Sequence, residues 1–352
     1  MPQLTIEPLG ETIEVEEGQT ILDAALRAGI WLPHACCHGR CGTCKVDVVE
    51  GEIEHGDASS FALMDFERDE GKALACTATL VGDITIEAEI DEDEDARRIA
   101  VRDYSGTVAS IADATGDIRV IRIALDGAPL DFQAGQYINL KVPGVTPARA
   151  FSLANAPGES EVELHVRKVP GGKATGWLHE SLKVGDKLAF AGPFGRFYVR
   201  KSAEKPMIFL AGGSGLSSPK SMIVDLLGEG SDLPITLIHG VRTARDVYFS
   251  DFFRALEAEH PNFRYVPALS QPAEGEAWAG ETGFVHEVAE RLFEGRFAGH
   301  SAYLCGPPPM IEASIRTLMK GRLFEKDIFT EKFLTNSDGE EALARSPLFK
   351  RI

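Results

Sequence analysis

The chain has 352 residues, 44% of them apolar, and 54 Asp/Glu against 36 Lys/Arg give a net charge of −18. That length supports two or three packed domains, and the acidic balance disfavours nucleic acid as a partner. No apolar run approaches the roughly 18–20 residues of a membrane span, and Leu4-Thr5-Ile6-Glu7 opens as a strand instead of a charged-then-apolar leader. A soluble, cytoplasmic protein without a membrane partner is expected.

The first segment runs from Leu4 to about Asp91. Leu4–Glu7 and Thr12–Glu16 read as a strand pair around Leu9-Gly10. Thr20 caps a helix through Ile21, Leu22, Ala25 and Leu26, Asp23 stands at capping-box spacing, and Gly29 is the stop. Cys44–Glu50 and Asp83–Glu89 alternate as strands. A small mixed sheet with one helix follows. Residues 1–95 hold 23 Asp/Glu and 5 Lys/Arg, while the remaining 31 of the 54 acidic and 31 of the 36 basic residues balance. The whole net charge therefore sits on this segment, which favours docking to a basic protein face; a merely solvated acidic surface is the plainer alternative.

Cys36, Cys37, Cys41 and Cys44 cluster within Cys36-Cys37-His38-Gly39-Arg40-Cys41-Gly42-Thr43-Cys44, and Cys76 follows 32 residues after Cys44. C-x4-C-x2-C with a distant fourth cysteine is the plant-type [2Fe–2S] spacing. Two irons need four thiolates, so Cys36, Cys41, Cys44 and Cys76 are the expected metal ligands. Gly39 and Gly42 suit a loop whose backbone must approach the cluster. A zinc ribbon would pair two C-x2-C knuckles, and Cys76 has no such partner. A Rieske centre needs a second histidine, and none follows Cys76 at the required spacing. A C-x3-C register through Cys37 stays open. Asp91–Arg98 is a charge run without an apolar face, and residues 92–102 read as a linker.

From 103 to 202, short β-rich runs alternate with turns: Gly106–Ile111, Ile118–Leu125, Gln136–Val142, Val162–Arg167 and Lys187–Ala191, with a helix only at Thr175–Leu182. This pattern predicts a small antiparallel barrel. Within it stands Arg149-Ala150-Phe151-Ser152. The stretch resembles the R-x-[YF]-[ST] signature of the ferredoxin–NADP reductase superfamily. On that resemblance Arg149 can pair with a pyrophosphate, Phe151 can stack on an isoalloxazine ring, and Ser152 can hydrogen-bond to its N5. By that resemblance His165-Val166-Arg167 and Gly172-Lys173-Ala174-Thr175 form a second flavin element, with glycines and a hydroxyl cradling phosphates at a helix N-terminus.

From 203 to 335 the period changes. Met207–Leu210, Ile235–His239, Phe263–Ala268 and Ala302–Leu304 read as strands, alternating with helices at Ser218–Leu227, Ser250–Glu259, Gly283–Leu292 and Pro308–Met319. This is an α/β segment with a parallel sheet. Gly213-Ser214-Gly215 joins a strand to a helix and suits a pyrophosphate turn, but Ser218 replaces the third glycine of the dinucleotide fingerprint. The second strand runs into Gly240-Val241-Arg242 with no acidic residue. The superfamily resemblance extends to Cys305-Gly306-Pro307-Pro308-Pro309-Met310, which it places beside the nicotinamide. It also extends to Phe329–Phe333, where Glu331 would assist at the flavin and Phe333 would cover the ring. Ser152, Cys305 and Glu331 are thus the candidates at the reacting atoms. Arg242 and Arg245 keep NADPH open as donor. Residues 336–352 read as a tail.

A β-grasp ferredoxin domain (1–91), a flavin barrel (103–202) and a nicotinamide domain (203–335) in this order resemble reductase components of bacterial aromatic-ring oxygenases, those of the phenol hydroxylase type above all. Gly18–Leu22, Val49–Glu52, Phe61–Asp65 and Glu67–Glu70 carry that likeness beyond the motifs. Cys37 departs from the usual glycine. A nicotinamide gives two electrons, a cluster takes one at a time, and a flavin mediates. The resemblance therefore implies electron flow from NADH through FAD and a [2Fe–2S] cluster to a di-iron hydroxylase component. A Rieske dioxygenase, a sugar-deoxygenation enzyme, a non-catalytic redox sensor and a zinc module are the alternatives.

Overall fold

The computed structural model describes residues 1–90, 93–273, 275, 277–333, 346 and 348–349. The chain divides into two compact units, 1–102 and 103–352.

The first unit contains β1 (Gln3–Glu7), β2 (Glu11–Glu14), α1 (Ile21–Arg27), β3 (Lys45–Glu50), β4 (Ile53–Glu54), α2 (Asp65–Asp69), β5 (Lys72–Leu74), β6 (Thr79–Leu80) and β7 (Ile84–Glu87). Five strands form a mixed sheet in the order β2-β1-β7-β3-β5, and β4 pairs with β6. Parallel pairing of β1 with β7 sets Leu4 opposite Ile84 and Ile6 opposite Ile86. These four side chains form one core with Ile21, Leu22, Ala24 and Ala25 of α1. Each fully buried aliphatic side chain there contributes roughly 1.5–3 kcal/mol. The Thr20 hydroxyl accepts the Asp23 N–H at 3.3 Å and starts α1. The Asp23 carboxylate turns to Gln19 and Arg27, so the cap is only half a capping box. Helix α2 and strands β4 to β6 are two to five residues long, too short to show a period in sequence. The charged run is anchored to this unit through Arg98, which pairs with Glu11, and Val101, whose N–H reaches the Leu26 carbonyl. Asp91, Glu92 and most of the expected 336–352 tail lie outside the described residues.

The second unit opens with a six-stranded antiparallel sheet: β8 (Arg102–Asp113), β9 (Ile118–Leu125), β10 (Tyr137–Lys141), β11 (Arg149–Ser152), β12 (Glu161–Arg167) and β13 (Lys187–Phe194), with α3 (Lys173–Glu180) after β12. Its order is β11-β10-β13-β8-β9-β12. A bridge between Leu153 and Leu164 brings the two edges together, leaving a nearly closed barrel. Val108, Ile121, Ile123, Leu140, Leu164 and Phe190 fill it. Helix α3 starts two residues before the sequence expectation because Gly172 takes the cap position.

Then follow β14 (Met207–Gly212), α4 (Ser217–Gly228), β15 (Ile235–Val241), α5 (Ser250–Glu259), β16 (Phe263–Leu269), β17 (Glu281–Thr282), α6 (Val285–Leu292), β18 (Ser301–Gly306), α7 (Pro308–Lys320) and β19 (Ile328–Lys332). All six strands are parallel, in the order β17-β16-β15-β14-β18-β19. Along β14, Met207, Phe209 and Ala211 join the core on one face, and Ile208 and Leu210 the core on the other. Burial on both faces explains the continuous apolar run. The strand order reverses between β14 and β18, and a crevice at their carboxyl ends is where such sheets bind ligands. Among the described residues no helix is long and apolar enough to cross a membrane.

Candidate functional site

The cysteine loop lies between α1 and β3, with Cys76 beyond β5. Its backbone turns toward sulfur: the Gly39 N–H donates to Cys76 Sγ at 3.3 Å, and the His38 and Arg40 N–H groups donate to Cys36 Sγ at 3.4 Å. Gly39 and Gly42 have φ of +70° and +72°. A Cβ on Gly39 would stand 2.9 Å from Thr77 Cγ2 and 3.0 Å from the Asp57 carbonyl oxygen, so only glycine fits. Electrostatic coupling pairs the thiols, Cys36 with Cys41 and Cys44 with Cys76. The Cys44 thiol holds Cys76 down at about 7. Among the described residues no group of three His, Cys, Asp or Glu is placed to hold a single metal ion; two thiol pairs fit a two-iron centre instead. Cys37 points its exposed thiol at the Ala35 carbonyl and has φ +57°, a left-handed conformation that favours glycine.

In the barrel, Arg149, Ala150, Phe151 and Ser152 form β11 itself. Arg149 donates to the Pro147 and Ala148 carbonyls, Ala150 is exposed, and Ser152 is buried. The first turn of α3 has no side-chain cap, so its amides are open to an anion. A cleft there is lined by Gly171, Gly172, Lys173 and Trp177. Ala174 is buried, and Thr175 braces the loop by accepting the Val169 N–H and donating to the Gly172 carbonyl. His165 and Val166 point inward. Only Arg167 of that triplet is solvent-facing, held by Asp117 at 2.9 Å.

A cavity of about 250 Å³ opens at the crevice of the parallel sheet, lined among others by Gly212, Gly213, Gly240, Arg242, Phe284 and Pro307. Arg167 of the barrel lines it as well. Ser214 and Gly215 are buried behind it. A Cβ on Gly215 would lie 2.3 Å from the Cys305 carbonyl oxygen, so the loops after β14 and β18 leave no room for a side chain there. Gly306 accepts the Phe333 N–H at 2.9 Å.

Barrel and sheet residues meet at the Glu331 carboxyl. Glu331 Oε2 accepts from Ser152 Oγ at 3.1 Å, Ser218 Oγ at 2.6 Å and Cys305 Sγ at 3.4 Å. Burial raises the Glu331 pKa, and burial also pushes the Cys305 thiol up. The three residues expected at the reacting atoms thus share one hydrogen-bonded cluster, although 179 positions separate Ser152 from Glu331. Ser218 belongs to it too. In sequence it showed only as the residue replacing a glycine.

Comparison with known proteins matches three family models: a 2Fe-2S iron-sulfur cluster binding domain over residues 4–81, an oxidoreductase FAD-binding domain over 105–198 and an oxidoreductase NAD-binding domain over 209–315. The chain is 57% identical over 350 residues to the reductase component of phenol 2-monooxygenase from Pseudomonas sp. (strain CF600), covering 99% of each chain. It is 55% identical to the phenol hydroxylase P5 protein of Acinetobacter pittii (strain PHEA-2), again covering 99% of each. The crystal structure of an Amycolatopsis cytochrome P-450 reductase superposes with a TM-score of 0.84 at 36% identity, covering 95% of this chain and 99% of that one.

Proposed function

Since the chain belongs to the NADH-dependent iron–sulfur flavoprotein reductases of multicomponent oxygenases, we propose that its acceptor is the hydroxylase of a phenol-type aromatic system, reached by transient docking in the cytoplasm. The observation that carries the reading is the meeting of Ser152, from the barrel, with Cys305 and Glu331, from the parallel sheet, at one oxygen. It brings the flavin-binding and nicotinamide-binding motifs to a common mouth. FAD, when bound, takes up electrons in pairs and releases them singly.

The residues divide the work. Arg149 and the amides of Gly172, Lys173 and Ala174 hold the FAD phosphates, with Thr175 fixing that loop. Phe151 would pack against a bound flavin ring, Phe333 would cover it, and Ser152 would hydrogen-bond to it. His165 and Val166 contribute from the backbone, and Arg167 borders both sites. Gly213, Ser214, Gly215, Gly240 and Arg242 receive the dinucleotide, while Gly306 and Pro307 shape the wall beside the nicotinamide. Cys305 and Glu331 would lie beside the flavin and the nicotinamide. Cys36, Cys41, Cys44 and Cys76 would hold the cluster, which supplies one-electron transfer when bound. The boundaries 1–91, 103–202 and 203–335 describe the three working parts.

Docking is supported on the first unit. Phe61, Met64 and Phe66 are 92%, 49% and 58% exposed, and the neighbouring Ser59 N–H binds the Gly39 carbonyl of the cysteine loop. Asp57, Asp65, Asp69 and Glu70 are exposed around them. An apolar centre with an acidic rim fits a basic-rimmed partner face. Reconstitution with a phenol hydroxylase oxygenase component tests the assignment: NADH-driven hydroxylation of phenol that falls with salt is expected, and dye reduction without any hydroxylation would overturn it. Replacing Phe61 by Ala should lower coupled hydroxylation roughly tenfold, as loss of a buried aromatic anchor does, while NADH-to-dye reduction is unchanged.

A further inference from the structure

Behind the nicotinamide cleft lies a second polar cluster that the electron chain does not use. Glu163, His165, Lys220, His239 and Tyr248 are each at most 8% exposed. Glu163 comes from β12, Lys220 from α4 and His239 from β15, and Tyr248 precedes α5. Lys220 Nζ lies 3.0 Å from Glu163 Oε1 and donates to the Ala154 carbonyl at 3.0 Å. Arg122 reaches Glu163 Oε2 at 2.7 Å. The rings of Phe249 and Phe252 both lie 5.2 Å from the Lys220 ammonium. Buried charges on either side of a junction are tolerated only when paired in this way.

From this clamp a chain of hydrogen bonds leads to the dinucleotide loop. His165 Nε2 meets Glu163 Oε1 at 2.9 Å, and His165 Nδ1 meets Tyr248 Oη at 3.1 Å. Tyr248 Oη also reaches the Gly213 carbonyl, at 3.4 Å, and His239 Nε2 meets that same oxygen at 3.2 Å. Burial keeps the Tyr248 hydroxyl protonated and both histidines neutral. The Glu163 carboxylate fixes the proton of His165 on Nε2, so Nδ1 is an acceptor. The single Tyr248 proton therefore serves two acceptors, and His239 supplies the second donor to Gly213.

We propose that Tyr248 and His239, backed by His165 and the Glu163–Lys220 clamp, are positioning residues for nicotinamide-dinucleotide binding, acting by fixing the peptide between Gly213 and Ser214. His239 and the shared Tyr248 hydroxyl hold the Gly213 carbonyl inward. In a trans peptide the N–H points opposite to the C=O, so the Ser214 amide turns toward the side of the cleft that Gly212 and Gly213 line. Gly213 has φ +54°, a conformation glycine adopts without strain, and it needs an external hold to stay in this one setting. The inference rests on the nicotinamide reading of the cleft and adds to it the residues that hold the loop from behind.

Tyr248→Phe tests it, because it removes one hydroxyl and keeps the ring packed edge-on against His165 and His239 and tilted against Phe249. Steady-state reduction of a dye by the FAD-loaded full chain, with NADH varied, should show KM raised about five- to tenfold and kcat within twofold. The Kd for NAD⁺, read from flavin difference spectra, should rise by the same factor. Phe253→Leu removes buried packing against Tyr265 outside the cluster and no hydrogen bond; it should lower Tm with KM within twofold. A Tyr248→Phe protein whose KM and Kd stay within twofold of wild type overturns the proposal. So does a set in which both variants move KM and Tm in parallel, as a purely structural role requires. If neither the wild-type protein nor the variants bind NAD⁺ at all, the nicotinamide reading of the cleft fails instead.

Discussion

Two carboxyls join the barrel to the parallel sheet, and they are dressed in opposite ways. Glu163 is surrounded by charge. Burial opposes its ionisation, yet the His165 hydrogen bond and the Lys220 ammonium hold it down at about 2. Glu331 is surrounded by two hydroxyls and a thiol, with no cation among its hydrogen-bond partners in the described residues, and burial raises it. The first arrangement is a clamp: a fixed charge with fixed partners. The second is a carboxyl whose ionisation burial opposes, set where the barrel and the sheet meet, and perturbed groups of that kind gather at functional sites. A protein that moves hydride across a junction needs both, one to keep the junction rigid and one to tune its mouth.

The largest expected effect separates the two. Glu163→Ala leaves Lys220 without its buried counter-charge and should destabilise the second unit by about 3–5 kcal/mol, measured by urea denaturation. Glu331→Ala removes only neutral hydrogen-bond partners and should lose about 1–2 kcal/mol on the same scale. Equal losses would break the comparison. The order reverses for chemistry: Glu331→Gln should slow anaerobic flavin reduction by NADH roughly tenfold, or about 1.4 kcal/mol in the barrier, whereas Glu163→Gln in protein that retains FAD should leave the limiting rate within about threefold. Stopped-flow absorbance at saturating NADH reads both.

The smallest effect is in pH, with opposite signs. Glu163 is depressed in the folded state, so its contribution is present above its unfolded value, 4.5, and is lost as pH falls through about 2. Glu331 is raised, so its contribution is present below 4.5 and is lost as pH rises through its folded value. The Tm of wild type relative to Glu163→Gln should therefore shrink toward low pH, and relative to Glu331→Gln toward high pH. Melting curves between pH 3 and 8 that slope the same way for both variants would contradict the assignment.

Much of the molecule was legible in the chain itself. The long alternating strands and the α/β pattern after Pro206 report local periodicity, and the structure places strands and helices there, while the cysteine spacing marks a loop between α1 and β3. Ser152, Cys305 and Glu331 were legible because each lies in a short motif of distinctive composition. Tyr248 and Lys220 were not. A lysine on α4 reads as a solvated side chain, and only the fold brings it to Glu163, 57 positions away by sequence number. Ser218 was hidden for the same reason, since its hydroxyl finds Glu331 across 113 positions. Cys37 shows a third kind of silence: its positive φ belongs to the loop's wrapping around four sulfurs, which no pattern of neighbours encodes.

An anaerobic titration of the full chain with NADH, followed by absorbance, tests the electron chain most directly. The flavin band should bleach first, and the cluster absorbance should then fall until both centres are reduced. A flavin that bleaches while the cluster stays oxidised through excess NADH would contradict the path from Ser152 and Cys305 to the four cysteines.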